Sequence, residues 1–290
     1  MVEQSRGGLC RLGAKEEAVY LPKLNLKGFA LGFVLAGVLA FALQAPGKEV
    51  EKVHLTVVFD NNRVVAGTET GWGFSCWIDL PGHKLLFDTG SKGEVLLRNM
   101  QRLELDPKSL ETVVISHMHW DHTGGLRAVL ERNPELKVVL PSSATRGEIA
   151  EVEALAAKVH VVKGREEILP GVWSTGTLGG PIPEQSLVVK TSEGLIVSTG
   201  CAHPGIVNIL RTVKSQFPGQ KLLLVMGGFH SWNRSENEIR PIVAEFQKLG
   251  VIHPAPCHCS GDLARSLFHE VFGANYYRAG VGFWVEFPVE

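Results

Sequence analysis

The sequence predicts an α/β fold, a layered sandwich of mixed sheets with helices on the outside. Three observations predict it. Short apolar runs bounded by turn residues recur from about residue 50 to the C-terminus. Stretches with helical apolar spacing stand between them. Each half of that region runs from hairpins into alternating helices and strands, with no sequence repeat and no low-complexity segment.

The elements follow in order. Residues 54–59 read as a strand. Residues 74–80 and 84–87 are two more, turned into a hairpin at Pro81-Gly82. A helix over 92–103 carries Val95, Leu96, Met100 and Leu103 on one face. A short buried strand over 112–115 leads to a helix over 124–132, closed by Asn133-Pro134. Strands over 137–140 and 159–162 flank an Ala/Glu-rich helix over 148–157. Strands 186–190 and 195–198 form a second hairpin through Ser192-Glu193-Gly194. A helix over 206–217 ends at Pro218-Gly219. A strand over 222–225, a helix over 236–249, a strand over 252–255, a helix over 262–271 and a strand over 283–287 complete the chain. Pro241 marks a kink or boundary in the helix over 236–249.

Composition excludes several classes. Lys plus Arg is 29 and Asp plus Glu is 30 in 290 residues, a net charge of −1. Such a chain has no global field to hold nucleic acid or an anionic membrane. With 44% hydrophobic and 20% charged residues it is globular rather than disordered. Five cysteines are too few for a disulfide framework, while eleven histidines are many.

Residues 28–43 form an uncharged apolar run behind Lys23 and Lys27, the pattern of a secretory signal. Ala40-Phe41-Ala42 supplies a small-x-small cleavage site. Left uncleaved, the run approaches the about 20 apolar residues of a membrane span. The basic flank makes a buried core helix the poorer reading. Residues 1–45 are thus expected to be a signal peptide or membrane anchor with its leader, and 46–290 the globular domain. That places the domain outside the cytoplasm, periplasmic, extracellular or membrane-anchored. Any membrane contact would run through 28–43.

The chemistry is concentrated after the strand Val113-Val114-Ile115, in Ser116-His117-Met118-His119-Trp120-Asp121-His122-Thr123-Gly124-Gly125. In extended chain, residues two apart point the same way, so His117 and His119 face one point. Asp121 and His122 enter from the next helix start. Neutral imidazole with carboxylate suits zinc, iron or manganese. Two adjacent pairs offer two metal sites, able to clamp both sides of a hydrolytic displacement. A histidine-rich surface loop would scatter its histidines and need no apolar strand ahead of them. Gly227-Gly228-Phe229-His230 ends another apolar strand, which makes His230 a ligand or a substrate contact.

These residues resemble the metallo-β-lactamase superfamily, an αββα four-layer sandwich of hydrolases and some oxidoreductases. Phe87-Asp88-Thr89-Gly90 is similar to its first motif, which implies that Asp88 orients the metal loop. Gly200-Cys201-Ala202-His203-Pro204-Gly205 follows the strand where most members place Gly-Asp, so the resemblance puts Cys201 in the slot of the bridging carboxylate. A thiolate ligates zinc or iron and softens the site; the other reading of Cys201 is a small buried residue. No histidine between Gly171 and Ser186 fits the lone metal histidine of the pattern, and His203 is the candidate substitute. His258, in Pro256-Cys257-His258-Cys259-Ser260-Gly261, matches the last ligand. Cys257 and Cys259 are core or redox partners and receive no metal. The three downstream segments together resemble the branch named after dihydropterin-methyl-ribofuranosylaminobenzene-phosphate synthase.

The expected function is a metal-dependent hydrolase with one or two ions per chain, zinc first and iron or manganese as alternatives. Metal-activated water attacks an ester, phosphoester or related bond of a small molecule, with a hint of a pterin-linked or phosphorylated substrate. Asp121 would hold the second ion and accept a proton, and His230 would contact the developing anion. Trp72, Trp120, Phe229 and Trp232 are candidates to wall the cleft. Competing readings are an iron-dependent redox enzyme and a ligand-binding protein on the same fold. His54, His83, His160, His253 and His269 read as structural.

Overall fold

The computed structural model describes residues 51–155 and 158–289. β1 (Lys52–Phe59), β2 (Ser75–Leu80) and β3 (His83–Phe87) form an antiparallel meander. The chain then changes mode. β4 (Thr112–Val114), β5 (Lys137–Pro141) and β6 (Lys158–Val162) add in parallel. Parallel strands need crossovers, and the helices supply them: α1 (Gly93–Arg102), the pair α2 (Trp120–Thr123) and α3 (Leu126–Arg132), and α4 (Arg146–Glu153).

The second half repeats the plan. β7 (Glu166–Leu169), β8 (Val172–Leu178), β9 (Glu184–Lys190) and β10 (Leu195–Thr199) are antiparallel. β11 (Leu222–Gly228) and β12 (Val251–Cys257) extend the sheet in parallel. α5 (Ile206–Gln216) and α6 (Glu236–Leu249) make the crossovers, and α7 (Gly261–Phe272) follows β12. β13 (Trp284–Pro288) returns to pair with β1, giving sheets of seven and six strands.

Strand periodicity explains the layers. Val53, Leu55 and Val57 of β1, Ile78 of β2 and Leu85 and Phe87 of β3 enter a core shared with Leu187, Ile196 and Leu224 of the second sheet. The alternate residues Leu86, Val113 and Val138 face Val95, Leu96 and Val129 on α1 and α3. On the far side Val188, Val197 and Val225 pack on Ile209 of α5, Phe246 of α6 and Phe268 of α7. The result is four layers, αββα. Each such buried aliphatic or aromatic side chain contributes roughly 1.5–3 kcal/mol.

The departures from expectation have local causes. β7 and β8 lack an apolar run; β7 is the short Glu166–Leu169, of which only Ile168 is buried, and in β8 the buried polar Ser174 and Thr175 are satisfied by Gln185 and by backbone, which periodicity does not reveal. The helix expected over 124–132 is α3, starting at Leu126, and a separate short helix, α2 from Trp120, precedes it. The break lies where Gly125 packs on Thr89, and a Cβ there would sit 2.2 Å from the Thr89 carbonyl oxygen. α4 ends at Glu153, short of the expected residue 157. Pro241 stays inside an unbroken α6, whose start is secured by a capping box of Ser235 with Glu238.

The expected signal peptide or anchor lies outside the described residues. Among the described residues no helix is long and apolar enough to cross a membrane.

Candidate metal centre

The site lies where Asp60, Asp88, Ser116 to His122, Cys201 to His203, His230 and His258 follow strands β1, β3, β4, β10, β11 and β12. Loops at the carboxyl ends of parallel strands are the usual ligand-binding edge of α/β sheets. Backbone conformation is unusual there. Of the five described non-glycine residues at positive φ, four are Asp88, Ala202, His230 and His258. Strain of this kind concentrates at functional sites, held in place by the surrounding fold.

Three groups of ligand atoms result, each with its atoms within 4.8 Å of one another. The first is His117, His119 and His203. Their ring centroids are 4.6 Å (His117–His119), 4.6 Å (His117–His203) and 5.0 Å (His119–His203) apart. The second is Asp121, His122, Cys201 and His258. Cys201 Sγ lies 3.2 Å from His122 Nε2 and 3.3 Å from His258 Nε2. Asp121 Oδ2 stands 3.7 Å from His122 Nε2 and 3.4 Å from His258 Nε2. The third is Cys201, His230 and Cys259. The ligand candidates His117, His119, Asp121, His122, Cys201, His230 and His258 fall within these groups, and His203 completes a histidine triad.

The buried imidazoles are aimed by their second nitrogen. Asp88 Oδ2 holds His122 Nδ1 at 2.7 Å and accepts the Ser116 hydroxyl, while Asp88 Oδ1 accepts the Ser116 N–H. Ser116 Oγ lies 2.9 Å from His117 Nδ1. Glu184 Oε2 holds His203 Nδ1 at 3.0 Å, and Asn61 Oδ1 meets His258 Nδ1 at 3.1 Å. Asp60 Oδ2 accepts the His258 N–H at 2.8 Å. Such outer partners fix ring orientation and tautomer in metal sites.

Glu184 was not legible in the sequence. It opens β9, is fully buried, and accepts the N–H groups of Gly200, Cys201, Ala202 and His203. One carboxylate therefore shapes the whole loop that presents Cys201 and His203. Asp60, Asn61 and Ser116 were also missed, because each acts across long sequence separations or through a neighbour.

The electrostatics favour ligand-ready forms. Burial, then the neighbouring His122, pushes His117 down to about 3. Burial and the nearby His258 bring His122 to about 3 as well. Both rings are neutral and keep a lone pair. Burial opposes charge on Glu184, yet the hydrogen bonds from His203, with the neighbouring His117, bring it to about 2. Burial likewise opposes charge on Asp121, but the hydrogen bond from His258 holds it well below the usual carboxylate range. Burial raises Asp88 to about 7 against the pull of His117 and Ser116.

The donor set fits a metal ion. His117 Nε2 is buried without a hydrogen-bond partner, although Nδ1 of the same ring is held by Ser116. An orphaned imidazole nitrogen facing two other imidazoles is costly unless a cation takes its lone pair.

The aromatic expectation is corrected in two places. Phe229 belongs to the outer core, packed on Phe246 and Phe268. Trp120 lines a groove with Arg127, Glu148 and Leu155. Trp72 does flank the site, its ring 5.3 Å from that of His258 and 6.2 Å from that of Trp232. Cys257 is core between the sheets, whereas Cys259 joins the site. The remaining histidines have structural partners, among them Glu286 for His54, Glu111 for His83 and Tyr277 for His253.

With this geometry in place, the likenesses to known proteins are informative. A model of the metallo-beta-lactamase superfamily matches residues 73–207. A Methanocaldococcus jannaschii protein named 7,8-dihydropterin-6-methyl-4-(beta-D-ribofuranosyl)-aminobenzene-5'-phosphate synthase is 28% identical over 70% of this chain and 84% of its own length. A solved structure described as a metal-dependent hydrolase of the beta-lactamase superfamily is 30% identical, covers 81% of this chain and 99% of its own, and has a TM-score of 0.70. The metallo-beta-lactamase fold protein YhfI from Bacillus subtilis, 16% identical, shares the fold with a TM-score of 0.60 over 81% of this chain and 99% of its own.

The likeness to the Methanocaldococcus jannaschii synthase overturns the expectations of a signal peptide, of membrane attachment and of an exported location. The physical basis for them was thin. The run over 28–43 has 16 residues, short of the about 20 that a span needs. A basic flank before an apolar run is also not specific to export.

Proposed function

From the chain's membership of the metallo-β-lactamase superfamily, we propose that it is a metal-dependent hydrolase with two ions per chain. The observation that carries this reading is the pair of adjacent donor groups, a histidine triad and an Asp–His–Cys–His set, each with its ligand atoms within 4.8 Å. In this reading His117, His119 and His203 hold one ion, and Asp121, His122, Cys201 and His258 hold the other. Zinc suits the imidazole and thiolate donors, and iron or manganese suits the imidazoles and carboxylate. Bound there, the metal supplies Lewis acidity and a water acidified towards neutral pKa.

The chain's own residues do the rest. Asp121, ionised and buried beside His122 and His258, accepts a proton released at the site. Asp88, Ser116, Glu184 and Asn61 keep the rings in one tautomer and one direction, so that little reorganisation accompanies reaction. The substrate is a small molecule with an ester, phosphoester or related bond. The relative named as a synthase supports a pterin-linked or phosphorylated one, and the same donor groups serve that case.

Metal analysis paired with a screen of phosphodiesters, lactones, lactams and reduced pterins tests the proposal. His117→Ala with His119→Ala should abolish turnover and remove at least one ion. Full metal stoichiometry in that double variant would refute the ligand assignment.

A further inference from the structure

We infer that Cys201, Cys259 and His230 form a third cation position, selective for a thiophilic d10 ion and sharing the Cys201 thiolate with the Asp121 group. Their ligand atoms lie within 4.8 Å of one another. Both cysteines are almost fully buried, at 4% and 1% exposure. His230 contributes a second sign: its ring interacts with the Cys259 thiol, and its buried Nδ1 has no partner outside this cluster.

The local fold is built around this cluster. The two cysteines flanking His258 are separated by the turn at Cys257–His258. Cys257 ends β12 and joins the inter-sheet core, while Cys259 sits in the turn His258–Ser260 and faces Cys201. His258 and His230 both hold positive φ, 46° and 49°, which turns each loop inward. The Cys259 carbonyl accepts the N–H groups of Ser231 and Trp232, tying the His230 loop to the Cys259 turn. Gly228 makes room for the sulfur: a Cβ there would stand 2.6 Å from Cys259 Sγ.

Two sulfurs and one imidazole are a soft donor set. It disfavours magnesium and manganese and selects zinc, cadmium or copper(I). Three protein ligands leave a fourth position open, and ligation displaces the protons of both thiols.

Cadmium reports the site directly, because only thiolate ligation produces the ultraviolet sulfur-to-cadmium charge-transfer band. Titrating the full chain with cadmium should give a band that Cys259→Ser cuts by about half, and that Cys201→Ser combined with Cys259→Ser removes. His230→Ala should raise the cadmium concentration that saturates the Cys259-dependent half about tenfold, by analogy with losses at other metal sites. An undiminished band in Cys259→Ser overturns the inference. So does an unshifted saturation in His230→Ala, which alters a partly exposed side chain and decides the matter even where Cys259→Ser does not fold. Zinc content and turnover are read on the same variants. If they persist in Cys259→Ser, the two-ion hydrolase stands whichever way the band moves.

Discussion

Glu184 illustrates how much one residue organises. Its two oxygens accept four consecutive backbone N–H groups and fix His203. In Glu184→Gln, either amide orientation turns an NH2 group towards backbone donors. Each buried N–H left unpaired costs about 1–3 kcal/mol. We therefore expect Glu184→Gln to lose about 3 kcal/mol in urea unfolding and to weaken metal at the histidine triad about 10–100-fold. Unchanged stability would show that the loop has another support. Cys201 gives a sharper pair. Its sulfur lies near both His122 and His258, so Cys201→Ala should weaken the second ion more than the first. Cys201→Asp should keep both ions while shifting preference from zinc towards manganese. If Cys201 were only core, metal titration would give the reverse order, with Ala harmless and Asp badly tolerated as a buried charge.

At the scale of elements, α6 carries a conflict between sequence and structure. Pro241 lies in the helix interior, where it removes one backbone hydrogen bond and crowds the preceding turn. Pro241 is exposed, so Pro241→Ala should cost no packing and should stabilise by about 1–3 kcal/mol. Calorimetry would show it as a higher Tm with metal content unchanged. A fall in Tm would mean that the proline's restriction of the unfolded chain outweighs the helix term. Loss of the Ser235 side of the capping box should act oppositely: Ser235→Ala costs about 1 kcal/mol.

For the whole molecule, residues Glu51 to Glu290 form one compact unit that contains both sheets. A chain of 51–290 should therefore fold and bind metal when expressed alone; an insoluble product that metal does not rescue would contradict this. Its stability should depend on metal, because an ion that binds only the folded state stabilises it by about 2.7 kcal/mol at a hundredfold excess over Kd. Chelation should lower Tm, and zinc should restore it. A Tm indifferent to chelator would mean that the donor groups are held by the fold alone.

The sequence by itself determined the α/β layering, most strands and helices, and the histidine motif. These depend on short-range patterns: apolar runs, two-residue and helical periodicity, and ligands crowded into Ser116 to His122. The apolar strand before it marked His230, and the resemblance to the metallo-β-lactamase superfamily marked Asp88, Cys201, His203 and His258. What it did not carry was anything set by contact across the sheets. β8 was hidden because its buried polar groups are satisfied by hydrogen bonds rather than marked by an apolar pattern, and β7 because it buries only Ile168. The division of Cys257 from Cys259 turned on one change of backbone direction at His258. Glu184, Asp60 and Asn61 became site residues only because β9 sits beside the strand that leads to His203, and β1 of the other sheet brings Asp60 and Asn61 to His258. Periodicity tells which way a side chain points within its own strand. Which distant group it meets is decided by sheet order and register, and those exist only in the folded chain.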